Sequence, residues 1–380
     1  RPFSSAAAEM LPRVPRMPRL SRVPRLSRRA LLKAGTLGAA GAAGAALTGC
    51  SSTRIRRPAA AVPTAKPAPA PTPVKTAPGR PVPPPSPAAI KANELGLIPI
   101  LMHHRVTSPV TSEYDMTPGY FRQELARLHA EGYYPVRTID LARGDLGHVP
   151  AGKTPVVLSF DDSSPGQFGY TPDGRIAPDS GVGILLDFAR AHPGFPAVAS
   201  FYINHHPFRL PDTAQALRDL HRLGMEIGNH TFHHRNLGQL TPAEVQAELA
   251  ELASLVSHAV PGLTPATMAL PLGVDPHPTM LAASGSAEGT RYRNEAVLLA
   301  GANPTRSPFH AGFDPLAVPR IRSSSYQGGR GRFLAGFWLD YLKAHPEQRY
   351  VAAGNPGTVT FPRRLAAGLA GGFRDRGRPY

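Results

Sequence analysis

Val156-Val157-Leu158-Ser159-Phe160-Asp161-Asp162 is the stretch on which the reading of this chain turns. Its three leading apolar, β-favouring residues suit a strand buried in a parallel sheet. Two adjacent carboxylates follow where that strand should stop. In α/β folds the carboxyl ends of the strands line the functional face. Neighbouring side chains on extended backbone point in opposite directions, so the pair suits two different tasks. A strand cap running into a turn at Ser163-Ser164-Pro165-Gly166 would use the same letters.

A second stretch favours the site reading. Gly228-Asn229-His230-Thr231-Phe232-His233-His234 carries histidines at i and i+4, after a strand expected at Met225-Glu226-Ile227. On a helical turn that spacing puts both imidazoles on one face. Two imidazoles and one carboxylate make three N/O donors and leave a position open for water on a divalent metal.

These two stretches resemble the polysaccharide deacetylases, the NodB-like domain of carbohydrate esterase family 4. Ser159 to Asp162 matches the family's T/S-F-D-D motif, and His230 to His234 matches H-S/T-x-x-H. The resemblance spans roughly 97–362. It implies Asp161 as general base, with Asp162, His230 and His234 holding one divalent metal. Zn²⁺ suits that donor set, and Co²⁺ or Ni²⁺ would also bind. Thr231 would steady the ligand loop. The family also implies an α/β fold, an irregular (β/α)7-type barrel with its site at the carboxyl ends of the strands.

The match departs from the family in two places. The third motif, R-x-P-Y/F-G, survives as Ala269-Leu270-Pro271-Leu272-Gly273, without the arginine and the aromatic. That arginine pairs with the catalytic aspartate, so its loss should raise the pKa of Asp161. Arg320, in Val318-Pro319-Arg320-Ile321, is either its replacement or an ordinary surface arginine. The backbone N–H near Leu272 would still help hold an oxyanion. The family's acid is a histidine ending a late strand, and no such strand is found near the C-terminus. Ile100-Leu101-Met102-His103-His104 has that form at the N-terminus, as in a circularly permuted branch that includes deacetylases of poly-N-acetylglucosamine. The acid is assigned to His104, with His103 as the alternative because alternation sends the two to opposite sides. His205 and His206 are read as loop residues, and His233 as pointing away from the metal.

Charge divides the chain. Its 380 residues carry 42 Lys+Arg against 26 Asp+Glu, a formal net charge of +16. Residues 1–94 hold 16 basic and 2 acidic side chains; the other 286 hold 26 and 24, a net of +2. The basic pI therefore describes a leader and linker, and no nucleic-acid partner is expected. Ser27-Arg28-Arg29-Ala30-Leu31-Leu32-Lys33 resembles a twin-arginine export signal. The Ala/Gly-rich run that follows is too short for a good transmembrane helix. It closes in Leu47-Thr48-Gly49-Cys50, which resembles a lipobox around the chain's only cysteine. Residues 1–49 are read as the signal segment and 50–93 as a disordered Pro/Ala-rich linker behind a lipid on Cys50. Twelve prolines fall in positions 58–87. At about 3 Å per residue, such a linker could hold a domain on the order of 100 Å from an anchor.

The domain itself is read as 94–362, with 363–380 as a C-terminal tail. Strands are expected at 98–102, 133–136, 156–160, 197–203, 225–227, 268–270 and 319–322. Helices are expected at 120–131, 181–191, 213–223, 241–258 and 332–343, the last carrying Trp338 in the core. Alternating strands and helices predict a parallel sheet closing on itself. Residues 166–183, rich in turn formers, should form a loop over the active face. The functional expectation is a monomeric, exported, lipid-anchored hydrolase that removes acetyl groups from N-acetylated sugars of a surface or wall polysaccharide. A glycan-binding protein without catalysis, and an O-acetyl esterase of the xylan type using the same site, are the alternatives.

Overall fold

The structure is a computed structural model that describes residues 86–326 and 334–380. The signal segment, Cys50, the linker up to residue 85 and the expected helix start at Arg332 lie outside the described residues. All that is described belongs to one unit, 78–380.

In chain order, Leu97–Ile98 (β1) leads into Ile100–His103 (β2) and a short parallel pair, Arg105–Val106 (β3) with Asp115–Met116 (β4). Helix Pro118–Ala130 (α1), strand Tyr133–Val136 (β5) and helix Thr138–Arg143 (α2) precede Thr154–Phe160 (β6). Gly181–Ala191 (α3), Ser200–Ile203 (β7), Thr213–Arg222 (α4), Glu226–Asn229 (β8) and Pro242–Ala259 (α5) alternate up to Thr267–Ala269 (β9). An antiparallel hairpin, Ser284–Ala287 (β10) with Thr290–Arg293 (β11), precedes Ala296–Leu298 (β12), Thr305–Arg306 (β13) and Ile321–Arg322 (β14). Ala335–Ala344 (α6), Val359–Phe361 (β15) and Gly377–Pro379 (β16) complete the chain.

The main sheet runs β12-β9-β8-β7-β6-β2-β14, all pairs parallel, with β5 against the early half of β6. A parallel bridge from Leu298 to Val318, in the approach to β14, returns the sheet to its other edge. The fold is an irregular α/β barrel with seven strands in the circuit, as expected. The all-apolar start of β6 has its reason here: every residue of Thr154–Phe160 is buried.

Side-chain parity along β6 positions the site. Leu158 and Phe160 pack outward with Leu101, Phe201 and Ile321, under Phe121 and Leu125 of α1 and Leu185 of α3. Val157 lies on the other side with Ile100, Tyr202 and Ala269. Two more steps at period two carry Ser159 and Asp161 to the inner, carboxyl end. Gly228 lets this interior close: a Cβ there would lie 2.4 Å from the Tyr202 ring. The helices begin where local signals put them. Thr117 and Ser180 cap α1 and α3, and Thr241 with Glu244 forms a capping box before Pro242 of α5.

Two expected boundaries are corrected. Residues 363–380 are no tail: β16 pairs in parallel with β15, Leu369 and Phe373 pack on the inner cluster, and Tyr380 Oη donates to Ala92 O at 2.9 Å. At the other end, Ala92 and Asn93 are already buried, so the folded part starts inside the expected linker. Trp338 is half-buried, packs against the outer cluster and donates to Ala302 O at 2.6 Å. No helix among the described residues is long and apolar enough to cross a membrane.

Candidate active site

Backbone strain gathers at one end of the barrel. Of nine non-glycine residues with positive φ among the described residues, seven follow the ends of barrel strands: Asp162 and Ser163 after β6, Phe208 and Arg209 after β7, Thr231 and His234 after β8, and Leu272 after β9. Each such residue costs on the order of 1–3 kcal/mol and persists only where its surroundings hold it, as at binding and catalytic sites.

Asp162, His230 and His234 meet there, with one donor atom from each lying within 4.8 Å of the others. Asp162 Oδ1 is 3.2 Å from His230 Nε2 and 3.3 Å from His234 Nε2. The helical turn expected for the histidine pair is not what joins them. Residues 230–234 are irregular, with Thr231 at φ 63° and His234 at φ 55°. Hydrogen bonds take over the helix's task. Thr231 Oγ1 accepts from His234 N at 3.0 Å, and Asn229 Oδ1 accepts from Thr231 N at 2.8 Å. Asn204 Nδ2 donates to the carbonyls of His230 and Thr231 at 2.8 and 2.9 Å.

The donor set fits a divalent cation on its chemistry. His230 Nδ1 lies 2.8 Å from Ala269 O, so it carries the proton and leaves the Nε2 lone pair facing Asp162. Burial disfavours charge on His230, yet Asp161 and Asp162 together outweigh it and raise its pKa. Burial would likewise raise Asp162, but the His230 and His234 imidazoles beside it hold it far below the usual carboxylate range. The site thus stabilises positive charge where a cation would sit.

Asp161 faces the other way. Arg320, fully buried, donates to it through both arms, Nη1 to Oδ1 at 2.7 Å and Nη2 to Oδ2 at 2.8 Å. Arg320 is fixed in turn by Leu299 O at 2.9 Å and Ser159 Oγ at 3.3 Å. Arg320 is therefore no surface arginine, and the expected rise in the Asp161 pKa is overturned. Burial alone would raise that carboxyl, but the guanidinium, with His230 beside it, offsets it and holds Asp161 below the usual range.

The two N-terminal histidines are separated by parity. His103 points outward, stacked on Phe160 at 4.7 Å, with Nε2 2.6 Å from Glu124 Oε1 in the core. His104 points into the barrel mouth, Nε2 4.0 Å from Asp161 Oδ2. Burial drives its pKa down to about 4 against the pull of Asp161 and Asp162. Gln167, in the loop expected over the active face, donates to the carbonyls of both His104 and Asp161 and ties the two strand ends together.

Residues 148–287 match the family model described as polysaccharide deacetylase. This chain carries a polysaccharide deacetylase domain. It is 24% identical over 168 residues to YxkH of Bacillus subtilis (strain 168), whose name assigns it to the polysaccharide deacetylases. That alignment covers 44% of this chain and 54% of the relative, so the chain spans about half the length of the curated relative it matches. Among solved structures it is similar to the Streptococcus pyogenes deacetylase PplD in complex with acetate: 20% identity, TM-score 0.48, 66% of this chain and 98% of that one. A de-N-acetylase from Aggregatibacter actinomycetemcomitans is 16% identical, with TM-score 0.44, over 62% of this chain and 97% of that one.

The deacetylase domain's family match includes Asp161, Asp162, His230 and His234, while His104 and Arg320 fall outside it. The remnant of the third motif, Pro271-Leu272-Gly273, forms a short turn after β9 with Leu272 exposed at φ 58°. His233 turns away from the ligands onto Glu248, Nδ1 to Oε1 at 3.1 Å. His205 lies on the rim, its Nδ1 2.8 Å from Phe232 O and its ring 4.2 Å from that of His206. Sequence reasoning missed Asn204, Asn229 and Gln167. The first two each follow or end a strand before a histidine-bearing loop, which is the only local signal they carry.

Proposed function

We propose that this protein is a metal-dependent hydrolase that removes acetyl groups from N-acetylated sugars of a surface or wall polysaccharide. The observation that carries this reading is the convergence of Asp162, His230 and His234 beside the Asp161–Arg320 pair and His104. A divalent cation held by the three donors would polarise the acetyl oxygen and lower the pKa of water. Zn²⁺, Co²⁺ and Ni²⁺ all suit two imidazoles and a carboxylate.

The chain's own residues supply the proton transfers. Asp161, kept anionic by Arg320, takes a proton from the attacking water. Arg320 also fixes the carboxylate's orientation through its two parallel bonds, so the base is aimed before substrate arrives. His104, neutral at pH 7 in the resting site, gains proton affinity as negative charge builds on the acyl oxygen. Its Nε2, 4.0 Å from Asp161 Oδ2, then takes up the proton that Asp161 received from the water and delivers it to the departing amine. The backbone beside Leu272 offers an N–H to the same oxygen.

The reading extends to location. The twin arginines Arg28 and Arg29 and the sequence ending at Cys50 support export and a lipid anchor on the outer face of the cytoplasmic membrane, with the polysaccharide as partner and the protein acting as a monomer. The test is acetate and free-amine release by the full chain from N-acetylated glucosamine polymers, peptidoglycan and acetylated xylan, with each metal added. Amine release from an N-acetylated glycan is expected. Acetate from xylan alone would make the protein an esterase, and none from any glycan would remove the catalytic reading.

A further inference from the structure

One wall of the mouth carries groups that the proton transfers leave unused. Arg322 stands two residues beyond Arg320 and so faces the same side of the sheet. Its guanidinium lies 4.7 Å from the centre of the Tyr114 ring, and Nη1 is 2.5 Å from Glu113 Oε2. Its Nε is buried and has no hydrogen-bond partner among the described residues. The Tyr114 ring stands 4.9 Å from that of His104, edge-on at 65°, and Tyr114 remains 42% exposed.

Tyr114 is not a loop tip free to move. Its carbonyl accepts from Arg105 N at 2.9 Å, and its N–H donates to Ser112 Oγ at 3.2 Å. The next residue, Asp115, is fully buried and accepts from Arg105 Nε, Thr111 N and Ser112 N at 2.5, 2.8 and 2.9 Å. The Asp115 carbonyl takes further bonds from Ser324 Oγ and Ser325 N at 2.8 and 3.1 Å. The fold thus fixes an aromatic ring in the open, beside its acid, with a buried unpaired N–H behind it. An apolar surface with a few fixed polar groups is how ligand subsites are made.

We propose that Tyr114 and Arg322 form the subsite for the sugar ring whose amine departs. A pyranose is amphipathic: its C–H face would lie against the open face of Tyr114, while the Arg322 guanidinium holds that ring in place from behind. Tyr114 and Arg322 are then positioning residues that select a sugar ring over small acetamides, which have no such face. This rests on the deacetylase reading above.

The test uses the full chain and penta-N-acetylchitopentaose. In an Asp161→Asn background, where turnover is suppressed, Tyr114→Ala should weaken calorimetric binding at least tenfold. Tyr114→Phe, which keeps the ring, should stay within twofold, and Arg322→Gln should weaken binding several-fold. In the active protein, Tyr114→Ala should raise KM for the pentasaccharide by a similar factor, with a smaller fall in kcat and the pH profile in place. If Tyr114 only supports His104, kcat and the pH profile shift while binding to the Asp161→Asn protein holds, and the subsite is overturned. Unchanged KM in both Tyr114→Ala and Arg322→Gln, in a protein that does release acetate, overturns the subsite alone. A wild-type protein that releases no acetate from any acetylated glycan removes the deacetylase reading and the subsite with it.

Discussion

The two sides of the barrel mouth are assembled in different ways. Asp162, His230 and His234 come from neighbouring strands, β6 and β8 lying on either side of β7, within the stretch that matches the family. Asp162 and His234 are partly open to solvent, with side chains 40% and 35% exposed. The proton-handling side draws on both ends of the domain, from His104 through Asp161 to Arg320, and its Asp161–Arg320 pair is 3% and 1% exposed. The accessible side is thus set within one matched stretch, its two histidines by i, i+4 spacing. The buried side is set by which strands the barrel brings together. A change on the first should cost metal and rate while the fold stands. A change on the second should cost stability as well as rate.

The largest effect is expected on the open side. His230→Ala or His234→Ala should abolish acetate release and metal retention, while circular dichroism and melting stay close to wild type. Stoichiometric metal with full activity in either variant would break the assignment of that side.

The buried side is broken most sharply by Arg320→Ala. It leaves Asp161 buried and unpaired, which typically costs about 3–5 kcal/mol, and chemical denaturation reads that loss directly. Its pH dependence has a definite sign. The folded pKa of Asp161 lies below the ordinary carboxylate value, so the pair's stabilisation is present above that ordinary value and is lost as pH falls through the folded one. In wild type the acidic limb of the rate profile that reports Asp161 should therefore lie below the usual carboxylate range. In Arg320→Ala burial loses its largest opponent, and that limb should move upward. A limb that stays in place would show that Arg320 does not tune the base.

A smaller effect should come from the support of the histidine loop on the open side. Asn204→Ala removes both bonds to the His230 and Thr231 carbonyls. Loss of such supporting bonds typically weakens metal affinity by about 10–100-fold. Competition with a chelator measures it, and an unchanged affinity would mean that Asn229 and Thr231 hold the loop unaided.

The same division explains what could be read in the sequence. The β6 run, the capping box of α5 and the His230–His234 spacing are local patterns, and each names its own element. The Asp161–Arg320 pair spans 159 residues and depends on β14 lying beside β2, which no local pattern encodes. The fate of His103 and His104 depended on which side of β2 meets helix α1, because parity separates the two but does not say which is inward. The irregular loop at 230–234 was hidden because i, i+4 spacing suits a helix, and nothing in His-Thr-Phe-His-His announces positive φ. Helix α2, strand β12 and the β10–β11 hairpin are short or polar, and tertiary pairing holds them. The packing of 363–380 was hidden for the same reason: its Arg/Gly-rich sequence has no periodic face, and the pairing of β16 with β15 and the side chains of Leu365, Leu369, Phe373 and Tyr380 tie it down.

The central claim is that two adjacent carboxylates, Asp161 and Asp162, serve the two sides separately. Metal content and acetate release, measured together on Asp161→Asn and Asp162→Asn, test it most directly. Asp161→Asn should keep its metal and lose about 10²–10⁴-fold in rate, as for a missing general base. Asp162→Asn should lose the metal itself, since it removes the only anionic donor of the three. Metal lost from Asp161→Asn but kept by Asp162→Asn would reverse the two roles, and metal and activity kept by both would contradict the account.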